Sequence, residues 1–207
     1  MATTLATTDG RTATDSRTST RTTLLDAAQR TFAHKGFSGV GINEVLAGAG
    51  VPKGSFYHYF SSKDAFGEAV LEHYYAQYLA DMDVVLSRPD TTWAQRTLDY
   101  FESWRLTQSL DDCQGRCLAV KLGAEVADMS EAMRERLKAG TTGIVNRLES
   151  ALRGGLEDGT VTLQDEPRAV AQSLYELWMG ASVLAKVYRN LSSMDNAMAT
   201  TRRLIGA

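Results

Sequence analysis

The chain has 207 residues, 43% of them hydrophobic and 23% charged, which suits one ordinary domain or two small ones with a substantial core. Its net charge of −3 argues against a nucleic-acid partner, yet residues 1–63 hold seven basic and four acidic side chains, so a basic head precedes an acidic body. No apolar run approaches the roughly 18–20 residues needed to span a bilayer, and two cysteines are too few for a disulfide framework, so the expectation is a cytoplasmic chain with reduced thiols and no membrane partner.

The opening "MATTLATTDGRTATDSRTSTR" is Thr-rich without a hydrophobic segment, and residues 1–19 read as a disordered arm rather than a secretory signal. "TTLLDAAQRTFAHKG" places Leu24, Leu25, Ala28 and Phe32 on one helical face, with Thr22 or Thr23 as N-cap and Gly36 as a left-handed stop. A short helix from about Gly41 turns Ile42, Val45, Leu46 and Ala49 inward and breaks at Gly48–Gly50. Pro52 suits the first turn of a third helix running to about Phe60, and Ser61 or Ser62 caps a fourth. Beyond a break at Arg88–Asp90, starts at Ser130, Pro167 and Ser193 and stops at Gly154–Gly155 and Gly159 help to predict helices near 92–109, 117–128, 130–152, 167–189 and 193–205. The reading is all-α, with about nine helices and no strand-like alternation.

The stretch "VPKGSFYHYFSSK" sets four aromatic rings, a histidine and two lysines side by side. A core helix buries only one stripe of these. Two short helices joined by a Gly-containing turn form a helix-turn-helix, whose second helix enters the DNA major groove. Phe56, Tyr59 or Phe60, and Val51 then point back onto the first two helices. Lys53, Gly54, Ser55, Tyr57 and His58 remain on the other side, near a helix N-terminus that attracts phosphate. Tyr57 can donate to a phosphate oxygen, Lys63 can clamp the same strand, and Gly54 permits close backbone approach. "GAGVPKGS" is no P-loop, because the lysine precedes the glycine, and no strand precedes it as a dinucleotide fingerprint requires.

"GINEVLAGAGVPKGSFYHYFSSKDAF", with the preceding "AAQRTFAHKGFSGVG", resembles the DNA-binding signature of the TetR/AcrR family of bacterial repressors over about 50 residues. The resemblance implies a homodimer on a double-stranded DNA operator, with Lys53, Gly54, Ser55, Tyr57 and His58 at the DNA, Tyr59 as a weaker contact and Lys63 on a phosphate. Gly41 stands where the family usually has a capping Ser or Thr, which leaves only its backbone for that contact. The domain division is then a 1–19 arm, a 20–66 helix-turn-helix domain and a 67–207 effector-sensing and dimerisation domain.

In the body, "YELWMGASVLAKVY" is apolar on two faces, one carrying Leu174, Leu177, Ala181, Leu184 and Tyr188 and the other Tyr175, Met179, Val183 and Lys186. Met194, Met198, Thr201, Leu204 and Ile205 add a shorter stripe. One side suits a core and the other a second subunit, and the resemblance places the last two helices at a dimer interface drawn from Leu177, Ala181, Leu184, Tyr188, Met194, Met198 and Ile205. Such a dimer spaces its reading helices about 34–36 Å apart, matching successive major grooves of a pseudo-palindrome.

Cys117 falls at a helix start beside Arg116, where the helix N-terminus and the cation both favour thiolate, although a cysteine pair of this kind is more often a small buried hydrophobe without reactivity. Cys113 and Cys117 are four apart, but His34, His58 and His73 lack metal-ligand spacing, so neither a metal site nor a cofactor is expected. "GRCLAVKLGAEVADMSE" and "LYELWMGASVLAKVYR" resemble the effector domain of the TetR branch containing the N-ethylmaleimide reductase repressor and the acrylate-responsive repressors. On that resemblance Cys117 is the sensor of a small-molecule electrophile, Lys186 a cation able to stabilise its thiolate, and Cys113 a resolving thiol or a bystander. Two other readings stand beside this one. One is a repressor induced by a reversibly bound apolar ligand (a drug, an aromatic or an acyl thioester), and the other is a helical enzyme, for which His34 and His73 have no evident nucleophile or carboxylate partner.

Overall fold

The computed structural model describes the backbone of residues 10–113 and 117–207, and the side chains of residues 20–109 and 117–207. Among the described residues the chain is all-α, as expected, with nine helices and no strand: α1 (Gly10–Lys35), α2 (Ile42–Ala49), α3 (Lys53–Phe56), α4 (Lys63–Leu86), α5 (Trp93–Cys113), α6 (Leu118–Ala127), α7 (Glu131–Glu157), α8 (Pro167–Tyr188) and α9 (Ser192–Ile205). No helix among them is long and apolar enough to cross a membrane.

One apolar core runs from Leu24 in α1 to Ile205 in α9. Leu24, Leu25, Ala28 and Phe32 are all buried, as the helical period requires. α1 packs on α2, α4 and α6, so the head shares walls with the body. α4 passes from one to the other and lies along α7, which packs in turn on α8, and α8 on α9. The α4–α7 contact depends on small residues. A side chain at Gly140 would overlap the ring of Tyr75 at 2.2 Å, and one at Gly67 would meet Phe37 and Met133.

Several expected boundaries moved. α1 begins at Gly10, so its backbone is helical through residues 10–19 of the expected arm and through Thr22 and Thr23, the expected caps; residues 1–9 lie outside the described ones. Pro52 is the N-cap of α3 rather than its first turn. α3 itself closes at Phe56, and hydrogen-bonded turns carry the chain on to Phe60. Ser62 caps α4, its side chain accepting from the Ala65 amide at 3.0 Å. α5 extends to Cys113, four residues beyond the predicted end. α7 passes through Gly154–Gly155, expected stops, because these glycines are close-packing positions: added side chains would strike Trp93 and Val161. The chain turns at Gly159, the other expected stop, with φ of +76°.

Gly140→Ala should cost about 1–3 kcal/mol, the usual range for overpacking a filled interior. Equilibrium denaturation measures it, and an unchanged midpoint would mean that α4 and α7 do not touch as described.

Candidate functional site

The head exposes the side chains that the sequence singled out. Phe56 is fully buried and Phe60 nearly so, and they pack against Phe66, edge-on at 5.2 Å and tilted at 4.6 Å between centroids. These rings fix the turn after α3. Tyr57, 61% exposed, leans edge-on against Phe56 and leaves its hydroxyl in solvent. Lys53, Gly54 and His58 are exposed beside it, while Ser55 and Tyr59 are half-buried. Lys63 holds its ammonium 4.6 Å over the Phe37 ring. With only four α-helical residues, α3 builds little macrodipole, so anion attraction on this face rests on lysines and hydroxyls rather than on the helix end. Gly41 caps α2 through its backbone alone, with open space where a side chain would stand.

A carboxylate ties this head to the body. Glu125, in the last turn of α6, accepts from the amides of Phe37 at 3.1 Å and Ser38 at 2.7 Å, in the turn between α1 and α2. Ser38 also donates to the sulfur of Met129 at 3.3 Å. Gly36 makes the close approach possible: its φ is +80°, and a side chain there would sit 2.8 Å from a Glu125 oxygen. Burial pushes the Glu125 carboxyl up, but hydrogen bonds from Ser38 and Phe37 together outweigh it and hold it below its ordinary value. A second tie joins α1 to α4, where His73 Nε2 meets Asp26 Oδ1 at 2.7 Å. His73 therefore has a carboxylate partner after all, serving as a link between helices.

At the other end of α6 lies the thiol. Cys117 is the N-cap of that helix, 9% exposed, and receives a hydrogen bond from the Tyr74 hydroxyl at 3.6 Å. Burial pushes its pKa up. The amides of Val120 and Ala119, the Tyr74 hydroxyl and the charge of Lys186 pull down without reversing the shift. The expected thiolate is thus corrected: the helix start does favour the anion, but desolvation wins, and the resting sulfur is a thiol. Arg116 lies outside the described residues, as does the side chain of Cys113, whose backbone ends α5. Lys186 is half-buried in electrostatic reach of Cys117. Burial lowers its pKa, and Lys121 and Arg189 lower it further, against the pull of the Cys117 charge.

Cys117 opens onto a cavity of about 230 Å³ walled by Tyr74, Tyr78, Tyr100 and Trp104, with Gln29 of α1 and Gln108 of α5 at its lining. Burial keeps the Tyr74, Tyr78 and Tyr100 phenols neutral. Sequence reasoning missed Glu125, Gln29 and Gln108. Nothing in the spacing of a single glutamate or glutamine on a long helix announces what lies opposite. Among the described residues no group of His, Cys, Asp and Glu is placed to hold a metal ion.

The α8 stripes also needed correction. The inward face is Leu174, Tyr175, Trp178, Ala181, Ser182 and Ala185. Trp178 stacks on Phe101 at 4.7 Å and donates to Thr201 at 2.9 Å. Ala181, Met194 and Ile205, expected at a dimer interface, are buried in the chain's own core by these contacts with α9. Leu177 and Met198 are half-buried, whereas Leu184 and Tyr188 are exposed together with Val183 and Val187. The outward face therefore carries an apolar strip from Leu177 to Tyr188.

The family model described as bacterial regulatory proteins, tetR family, matches residues 24–70, and that of the tetracyclin repressor-like C-terminal domain matches residues 94–201. The chain belongs to the TetR family. It is 41% identical over 191 residues to the HTH-type transcriptional repressor NemR of Escherichia coli strain K12, covering 90% of this chain and 94% of that one. Identity to the HTH-type transcriptional repressor DhaR of Mycobacterium sp. strain GP1 is 30% over 179 residues, covering 86% and 88%. The crystal structure of E. coli NemR in its reduced form superposes with a TM-score of 0.86 at 40% identity, covering 90% of this chain and 97% of that one. The TetR family is one of transcriptional regulators rather than enzymes, and its two-part architecture places the Glu125 clamp between a DNA-binding head and an effector-type body.

Because the folded Glu125 carboxyl ionises more readily than an unfolded one, its stabilisation is complete above the ordinary glutamate pKa and fades as pH falls through the lowered folded value. Glu125→Gln should flatten the acid limb of a plot of Tm against pH. Parallel acid limbs for the two proteins would show that the carboxylate does not hold the head.

Proposed function

We propose that the chain is a homodimeric repressor that binds a pseudo-palindromic DNA operator in the bacterial cytoplasm and releases it when a small electrophile reacts at Cys117. One observation carries this reading: Cys117 starts α6, and the same helix ends on the carboxylate that clamps the helix-turn-helix. Adding a group to the sulfur displaces the head of a ten-residue helix whose far end sets the angle of the DNA-reading unit. An electrophile acts as a ligand here, shifting the dimer toward whichever conformation accommodates the adduct. A coupling of roughly 1–3 kcal/mol weakens operator binding by about 5–150-fold.

Lys53, Tyr57 and Lys63 supply mainly phosphate contacts, with the steep salt dependence those bring, while Ser55 and His58 face base edges. The Lys186 ammonium stabilises the thiolate as the sulfur gives up its proton and attacks. For an activated alkene the sulfur–carbon bond forms, the carbon–carbon π bond breaks, and the proton ends on the neighbouring carbon. A second reading, reversible occupancy of the cavity by an uncharged ligand, is favoured by the burial that keeps the resting sulfur protonated. The 230 Å³ volume lies below the roughly 300–1,000 Å³ of drug-sized pockets and restricts either kind of effector to small molecules.

Operator-binding titrations with and without a thiol-reactive alkene decide between the two. Wild type should lose affinity about 5–150-fold and Cys117→Ser should not respond; full release from Cys117→Ser supports the reversible ligand.

The outward strip of α8 fits a second copy of the chain, since Leu184, Val187 and Tyr188 are too exposed for a monomer in water. Val187→Asp with Leu184→Glu should yield a monomer in light scattering and abolish operator binding while leaving helicity intact. A dimer that persists in this variant places the interface elsewhere.

A further inference from the structure

The cavity beside Cys117 contains polar groups that the thiol chemistry does not use. Gln108 is fully buried, and both of its amide atoms find no partner among the described residues. The side-chain oxygen of Gln29 is likewise buried without a partner. Both side chains line the cavity. An amide held this way is costly, since a buried unpaired donor or acceptor keeps its full desolvation penalty. A leucine would fill the position better.

Among the described lining residues most other polar groups are already engaged, the exceptions being the exposed Asp81 carboxylate and the second phenol hydrogen of the Tyr78–Tyr100 pair. Tyr74 donates to Cys117, and the hydroxyls of Tyr78 and Tyr100 bond each other at 2.9 Å. Ser103 and Thr107 donate back to their own helix, to the carbonyls of Asp99 and Ser103. Among the described lining residues, the atoms buried without a partner are the Gln108 NH2 as donor and the Gln108 and Gln29 oxygens as acceptors. A primary carboxamide, with a carbonyl oxygen and an NH2 on one carbon, complements that set. The aromatic walls favour a flat molecule, the volume a small one, and the carboxylate of Asp81 at the lining opposes an anion.

We propose that this cavity recognises small, flat, uncharged primary carboxamides, with Gln108 as the specificity-determining residue and Gln29 as its second contact. The proposal rests on reading the cavity as the effector site, and it deepens that reading by naming what enters. A ligand held between Gln29 on α1 and Gln108 on α5 also touches the head and the body at once, beside the sulfur. A site built to hydrogen-bond its ligand discriminates strongly against analogues lacking the groups, because its own buried atoms are then left unpaired.

The test is a calorimetric titration of the intact protein with benzamide, benzoate and N,N-dimethylbenzamide, for wild type, Gln108→Leu and Gln29→Leu. Benzamide should bind wild type. Benzoate and N,N-dimethylbenzamide should bind at least about tenfold more weakly, the order expected when a buried polar partner is left unpaired. Gln108→Leu should lose benzamide by the same factor while melting at a higher temperature than wild type, since an unpaired amide has been replaced by an apolar group of similar size. Gln29→Leu guards against a folding defect in that variant and should weaken benzamide by a smaller factor. Equal binding of the three probes, no binding of any, or undiminished benzamide binding by Gln108→Leu overturns the proposal. The sensor reading fails separately, through operator release that survives Cys117→Ser.

Discussion

Two hydrogen bonds to one carboxylate set the relation between the halves of this molecule. Glu125 receives the amides of Phe37 and Ser38, donors that a tight turn between two helices leaves without helical partners. The price is glycine at position 36, where backbone conformation and space both exclude a side chain. Since α1 is also walled by α4 and α6, the helix-turn-helix cannot reorient without disturbing the helix that starts at Cys117. The head is therefore poorly described as an appendage. Its position is a property of the body's packing.

The thiol end of that helix shows two opposed demands. Reactivity favours an exposed anion, while selectivity favours a walled cavity. This protein takes the second course, and burial raises the pKa of Cys117 despite its place at a helix start. Lys186 partly offsets this, being itself pushed toward neutrality by burial. The phenols around the sulfur stay neutral, so they serve as donors and walls rather than as charges.

Helix α8 divides its apolar surface between two purposes. Trp178, wedged on Phe101 and bonded to Thr201, commits one face to the chain's own interior, along with Ala181 and the α9 residues Met194 and Ile205. The opposite face keeps Leu184, Val187 and Tyr188 in solvent. A helix apolar on both sides announces a second burial event, but which residues lie on which side depends on rotation about its axis. That rotation is set by Trp178 finding its partners on α5 and α9.

Local chemistry was legible in the sequence. Helical period, caps and breakers marked all nine helices, and the residues facing the core in α1 and α2 followed from spacing alone, because these signals act within a turn or two of chain. The aromatic run after Pro52 likewise separated its buried rings from its exposed polar members. What the sequence left undecided were relations between residues far apart in the chain: the 88-residue span from Phe37 to Glu125, the glutamines facing one cavity, and the balance of burial against helix-end field at Cys117. Gly154 and Gly155 looked like stops because only the fold reveals Trp93 and Val161 pressed against them. Whether a glycine is a break or a contact, and whether a thiol is charged or neutral, is set by what tertiary packing brings beside it, since desolvation and close approach are properties of neighbours in space rather than in sequence.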